Sequence, residues 1–192
     1  MNLIEQLLNK KTTLSQLAQL CRPAPAKVSG WREFCRLHKN LDPKSYANGR
    51  VNHQWIQKMI ADISGDLIVR GGQGTKKSDC YINGFKVETK AYRPGNKSFH
   101  VAASGFFANN CKVPTWKALG KTTPEAEEYL FENSYSKNDY YLLTSTAQLN
   151  LDFDEIEFVL LKTDDLVDCL DSEDKRHCIM EKLNAKLEEP DV

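Results

Sequence analysis

The stretch SDCYINGFKVETKAY, Ser78 to Tyr92, constrains the fold most, because Asn83-Gly84 stands between two runs that alternate in polarity. A two-residue Asn-Gly connection favours the type I′ turn, whose positive φ values match the twist of paired strands. Such a turn fixes the register: Ile82 faces Phe85, Tyr81 faces Lys86, Cys80 faces Val87 and Asp79 faces Glu88. Side chains alternate between faces. Cys80, Ile82, Phe85, Val87 and Thr89 therefore make an apolar, core-facing side, and Lys77, Asp79, Tyr81, Lys86, Glu88 and Lys90 make the other. Two acids then stand opposite each other with β-carbons about 5 Å apart, and like charges so placed are destabilising. One explanation is a solvated face on which Lys86 and Lys90 neutralise the acids. The other is a divalent cation, since hard ions such as magnesium take carboxylate oxygens.

The surroundings of the hairpin are basic. Residues 70–121 hold ten Lys and Arg against two acids, and those two are Asp79 and Glu88. Residues 1–69 hold ten basic residues against five acidic, whereas residues 122–192 hold six against nineteen, so a formal net charge of zero conceals a polarised chain. Such asymmetry suits a protein that turns one face to a polyanion. The six cysteines (Cys21, Cys35, Cys80, Cys111, Cys169, Cys178) include no C-x-x-C pair, which points to free thiols and away from a structural zinc. No long apolar run exists, and the start lacks a signal-peptide pattern, so a cytoplasmic protein without a membrane partner is expected.

Periodicity divides the rest. Leu3, Ile4, Leu7 and Leu8, continued by Leu14, Leu17, Ala18, Leu20 and Cys21, predict helix, and WREFCRLHK predicts a second helix after RPAPAK. VNHQWIQKMIADI, residues 51–63, predicts a third, with Trp31 and Trp55 on apolar faces. DLIVR predicts a short strand before the hairpin. SFHVAASGFFANN begins as a strand that would turn His100 toward the hairpin, with a satisfied structural histidine as the plainer role. TPEAEEYLFENS predicts a helix, DYYLLTSTA and IEFVLLKT two more strands, and residues 163–192 solvated acidic helices. The expected fold is a single mixed α/β domain: a helical N-terminal extension over 1–50, a core over 51–162 and C-terminal helices over 163–192.

Ser78-Asp79 followed by Glu88-Thr89-Lys90 resembles the signature of the PD-(D/E)XK nuclease superfamily, which includes type II restriction endonucleases and Holliday-junction resolvases. Serine stands where that signature usually has proline. The resemblance covers roughly residues 50–147 and implies a restriction-endonuclease-like core: a helix, three strands, a helix and a further strand, forming a mixed central β-sheet flanked by helices. The aspartate belongs on the second strand and the acid-x-lysine on the third.

The resemblance also implies a function: a magnesium-dependent endodeoxyribonuclease, with manganese as a substitute ion, acting on double-stranded DNA as a homodimer. Asp79, Glu88 and Lys90 are the implied catalytic residues, with the metal held by Asp79, Glu88 and the Thr89 carbonyl. Many members add a glutamate on the first helix. Here the nearest residues are His53, Gln54 and Gln57, so one metal is expected, with His53 and Gln54 as auxiliary candidates. Arg70, Gln73, Lys76, Lys77, Arg93 and Lys97 flank the hairpin where phosphate contacts are expected, and Trp116 lies in a basic stretch. Restriction is the favoured activity. A junction-resolving or repair nuclease and a non-catalytic nucleic-acid-binding protein are the alternatives. GGQGTKKS is not a nucleotide-binding loop, because Lys76 replaces the second glycine and a strand follows.

Overall fold

The computed structural model describes residues 2–38, 49–65, 67–71, 78–101, 138–145 and 155–188. Helix α1 (Leu3–Leu7) leads into strand β1 (Lys11–Thr13). Helix α2 (Leu14–Cys21) starts on a capping box in which the Thr13 hydroxyl accepts from the Gln16 N–H at 3.1 Å, while Gln16 Oε1 accepts from the Thr13 N–H at 2.8 Å. Pro25 then opens α3 (Pro25–His38), a position where its missing N–H costs no helical bond. Helix α4 (Gly49–Ser64) buries Met59, Ile60 and Ile63, and Gly65 leaves it at φ +62°.

The strands follow: β2 (Ile68–Arg70), β3 (Cys80–Ile82), β4 (Phe85–Ala91), β5 (Ser98–His100), β6 (Tyr140–Thr144), β7 (Glu157–Lys162) and β8 (His177–Ile179). Helix α5 (Thr163–Asp168) lies between β7 and β8, and α6 (Met180–Glu188) follows β8. Six strands form one mixed sheet in the order β1-β7-β6-β4-β3-β2, in which only the β4/β6 pair is parallel. A parallel pair needs a crossover connection, and the chain between β4 and β6 supplies it. The helix expected near residues 123–133 falls in that connection, outside the described residues.

Two cores sandwich the sheet. Val87 and Leu142 belong to the one that α1 to α4 cover, with Leu3, Leu14, Leu17, Trp31 and Ile63. Tyr141 and Leu143 belong to the other, with Phe99, Leu166, Cys178 and Leu183 from β5, α5, β8 and α6. Burial on both sides explains why β6 and β7 read as unbroken apolar runs.

Three sequence expectations change here. The first fifty residues are not helical throughout, because β1 joins the sheet as an edge strand, pairing Lys11 with Val159 and Thr13 with Glu157. The C-terminal region is not two solvated helices: it contains β8, and it buries Leu166, Leu170, Cys178 and Leu183 against the sheet. Phe85, expected to face the core, is 46% exposed, because it sits beside the turn at the sheet's end. It keeps an edge-to-face contact with Tyr140 at 5.7 Å. Among the described residues no helix is long and apolar enough to cross a membrane.

Candidate active site

The hairpin forms in the register that its turn dictates, with Ile82 paired to Phe85, Tyr81 to Lys86 and Cys80 to Val87. Asn83 and Gly84 take φ values of 50° and 83°, as a type I′ turn requires. Asp79 lies one residue beyond the last paired position, and there a side chain continues the ladder. Its Oδ2 accepts from the Thr89 backbone N–H at 3.0 Å and from the Thr89 hydroxyl at 2.9 Å. The N–H and C=O of one strand residue project to the same side, so the Thr89 carbonyl is directed to the side where Asp79 lies.

Ordinary pairing would offer the Ser78 backbone to Thr89. Instead the Ser78 carbonyl turns toward Gly71: a Cβ added at Gly71 would stand 1.8 Å from that oxygen. The Gly71 N–H donates to the Asp79 carbonyl at 2.7 Å. Only glycine admits so close a backbone approach. The Ser78 hydroxyl donates to Asn138 Oδ1 at 3.0 Å in a buried contact, which ties the chain before β3 to the start of β6.

Glu88 and Lys90 point to the sheet face opposite Val87 and Thr89. Their parallel partners are Tyr141 and Leu143, both members of the C-terminal core. Lys90 Nζ and Glu88 Oε1 are 2.7 Å apart, and each side chain is only 12% exposed. Asp79 has no ion-pair partner among the described residues. Two carboxylates and one ammonium leave a net negative charge, lined by hard oxygen donors, and that chemistry fits a magnesium ion. Both acids also act on one neighbour. Burial first, and then the negative charges of Asp79 and Glu88, push the Cys80 thiol far above the ordinary thiol range. A thiol that feels both carboxylates places them around one point. Among the described residues no group of three or more His, Cys, Asp or Glu side chains is arranged to hold a metal, so the protein ligands here would be two acids and a carbonyl.

The remaining candidates disperse. Arg70 ends β2, and Arg93 and Lys97 flank the turn between β4 and β5, all three exposed. Gln73, Lys76, Lys77 and Trp116 fall outside the described residues, as do the side chains of His53, Gln54 and Trp55, although α4 carries those three positions. His100 does lie on a strand, β5, and that strand pairs with β8. Burial, the neighbouring His177 and Arg176, and the charge of Lys90 hold its imidazole below the usual range, with Asp174 acting in the opposite sense. Two participants escaped the sequence reading. Asn138 carries no local signal, and His177 sits in a stretch that reads as helix. Comparison with protein-family models, curated proteins and solved structures finds no match for the chain.

Proposed function

We propose that the protein is a magnesium-dependent endodeoxyribonuclease of the restriction type, with a restriction-endonuclease-like core, acting as a homodimer on double-stranded DNA. The observation that carries this reading is the grouping on β4: an acid and a lysine in a nearly buried ion pair, beside a second acid bonded to the residue between them. The element order supports it, since α4, β2, β3 and β4 are followed by β6 parallel to β4, with Asp79 just before the second strand and Glu88 and Lys90 on the third.

Asp79, Glu88 and the Thr89 carbonyl would hold the ion, magnesium or manganese. A divalent cation bound there neutralises phosphate charge and acidifies water. The chain's own residues do the rest. Thr89 fixes Asp79 through two hydrogen bonds, so that carboxylate is pre-oriented. Lys90, anchored at 2.7 Å by Glu88, presents a fixed cation to the developing phosphorane charge and orients the attacking water. Water adds to phosphorus, one ester P–O bond breaks, and the departing oxygen takes up a proton. The exposed Arg70, Arg93 and Lys97 supply sequence-independent phosphate contacts.

Purified protein incubated with supercoiled plasmid, linear DNA and a four-way junction, each with and without magnesium, tests the reading. Discrete magnesium-dependent fragments are expected. Junction-only nicking would make the protein a resolvase. The absence of product from every substrate would remove the nuclease reading in favour of a binding protein.

A further inference from the structure

The β5/β8 ribbon carries a second gathering of functional side chains, which the hairpin chemistry leaves unused. His100 and His177 are register partners, with ring centroids 5.2 Å apart and planes at 83°. Their neighbours Phe99 and Cys178 turn into the core, so the two imidazoles share the ribbon's opposite face. His177 is fixed in place. Its Nδ1 lies 2.9 Å from Asp174 Oδ2, and Asp174 is itself held by the Arg176 guanidinium at 2.9 and 3.3 Å and by the Arg176 N–H at 3.1 Å. The ring nitrogens of His100 have no hydrogen-bond partner among the described residues, and the side chain is exposed.

We infer that His100 and His177 form a phosphate-binding contact for the nucleic-acid strand cleaved at Glu88 and Lys90, gripping a phosphodiester next to the scissile one. The inference rests on the nucleic-acid substrate of the nuclease reading. Duplex DNA carries a charge for about every 3.4 Å of rise along each strand, so a strand seated at one phosphate presents others close by. The positive charges that bear on His100 come from Lys90 on β4 and from Arg176 and His177 on β8 and its preceding turn, with Asp174 opposing them. A field that disfavours a further proton favours an anion. An arriving phosphate reverses the balance at His100, which then takes up a proton and makes a charge-assisted hydrogen bond.

The test measures magnesium-dependent cleavage of a defined DNA duplex, and binding of the same duplex in calcium, at a mildly acidic and a mildly alkaline pH. The variants are His100→Ala, His100→Gln and His177→Ala, with folding checked by circular dichroism. Each alanine variant is expected to raise KM and the calcium Kd about tenfold, the effect of losing one hydrogen bond to a charged group, with kcat unchanged. His100→Gln is expected to flatten the tighter binding that wild type shows at the acidic pH. If wild type cleaves and the variants keep KM at both pH values, or lose kcat alone, the phosphate contact is overturned while the nuclease reading stands. If wild type binds duplex without cleaving it, the nuclease reading falls, and loss of binding in His100→Ala still upholds the contact. If wild type neither binds nor cleaves, both fall.

Discussion

The β3/β4 hairpin and the β5/β8 ribbon are both short antiparallel pairs next to the same ion pair, yet they are specified in opposite ways. A two-residue turn closes the hairpin, and its register follows from Asn83 and Gly84 alone. The ribbon joins residues from opposite ends of the polarised half of the chain, and no turn connects them. What sets its register is the core beneath: Phe99 and Cys178 bury together with Tyr92, Leu166 and Leu183, and Phe99 packs on Tyr92 at 5.5 Å. Local backbone chemistry therefore positions the carboxylates, whereas tertiary packing positions the imidazoles.

The largest effect to look for lies in the hairpin's chemistry. Replacing Asp79 or Glu88 by Ala is expected to lower magnesium-dependent cleavage by at least about 10²- to 10³-fold, the scale of removing one preorganised electrostatic group, in single-turnover assays on the proposed DNA substrate. Undiminished cleavage by either variant removes that residue from the mechanism. Stability separates the two ribbons next. Phe99→Ala is expected to cost about 3 kcal/mol, as for other buried aromatic truncations. Gly84→Ala, at φ +83° with open space around it, is expected to cost only about 1 kcal/mol of backbone strain. Equal costs in chemical denaturation would mean that the turn and the core contribute alike.

The Glu88–Lys90 pair gives a sharper contrast. Lys90→Met strands a nearly buried carboxylate and is expected to cost about 3 kcal/mol, whereas Glu88→Gln with Lys90→Met recovers much of that loss. Denaturation of the single and double variants checks it, and a double variant no more stable than the single would show that burial of the pair is unimportant. The smallest effect is in pH. The folded pKa of His100 lies below its unfolded value of about 6.5, so between the two the unfolded chain binds more protons and stability falls as pH drops. Asp174 is also held low, chiefly by its hydrogen bond from Arg176, but its contribution is lost only in stronger acid, below the ordinary carboxylate range. Thermal melts between neutral and mildly acidic pH should therefore fall less for His100→Gln than for wild type.

The same contrast explains what could be read in advance. The hairpin register, α4, the strand before the hairpin and the two apolar strands were legible because turn chemistry and periodicity are local. β1 was hidden because Lys11-Thr12-Thr13 interrupts a helical apolar pattern too briefly to register, and its partner β7 lies far along the chain. β8 was hidden inside a stretch with good helical spacing, and only pairing with β5 makes His177–Ile179 a strand. At the site, the residues Asp79, Glu88, Thr89 and Lys90 were legible but one bond was not. The Asp79 carboxylate replaces a backbone rung only because the Ser78 carbonyl turns to Gly71, a backbone approach that no sequence pattern encodes.

Calorimetric titration of manganese into wild type and Asp79→Asn, with both shown to be folded, bears most directly on the site. One ion bound per wild-type chain, and a loss of that binding in Asp79→Asn, is the predicted result. Manganese that binds neither protein, or binds both alike, would contradict a metal held between Asp79 and Glu88.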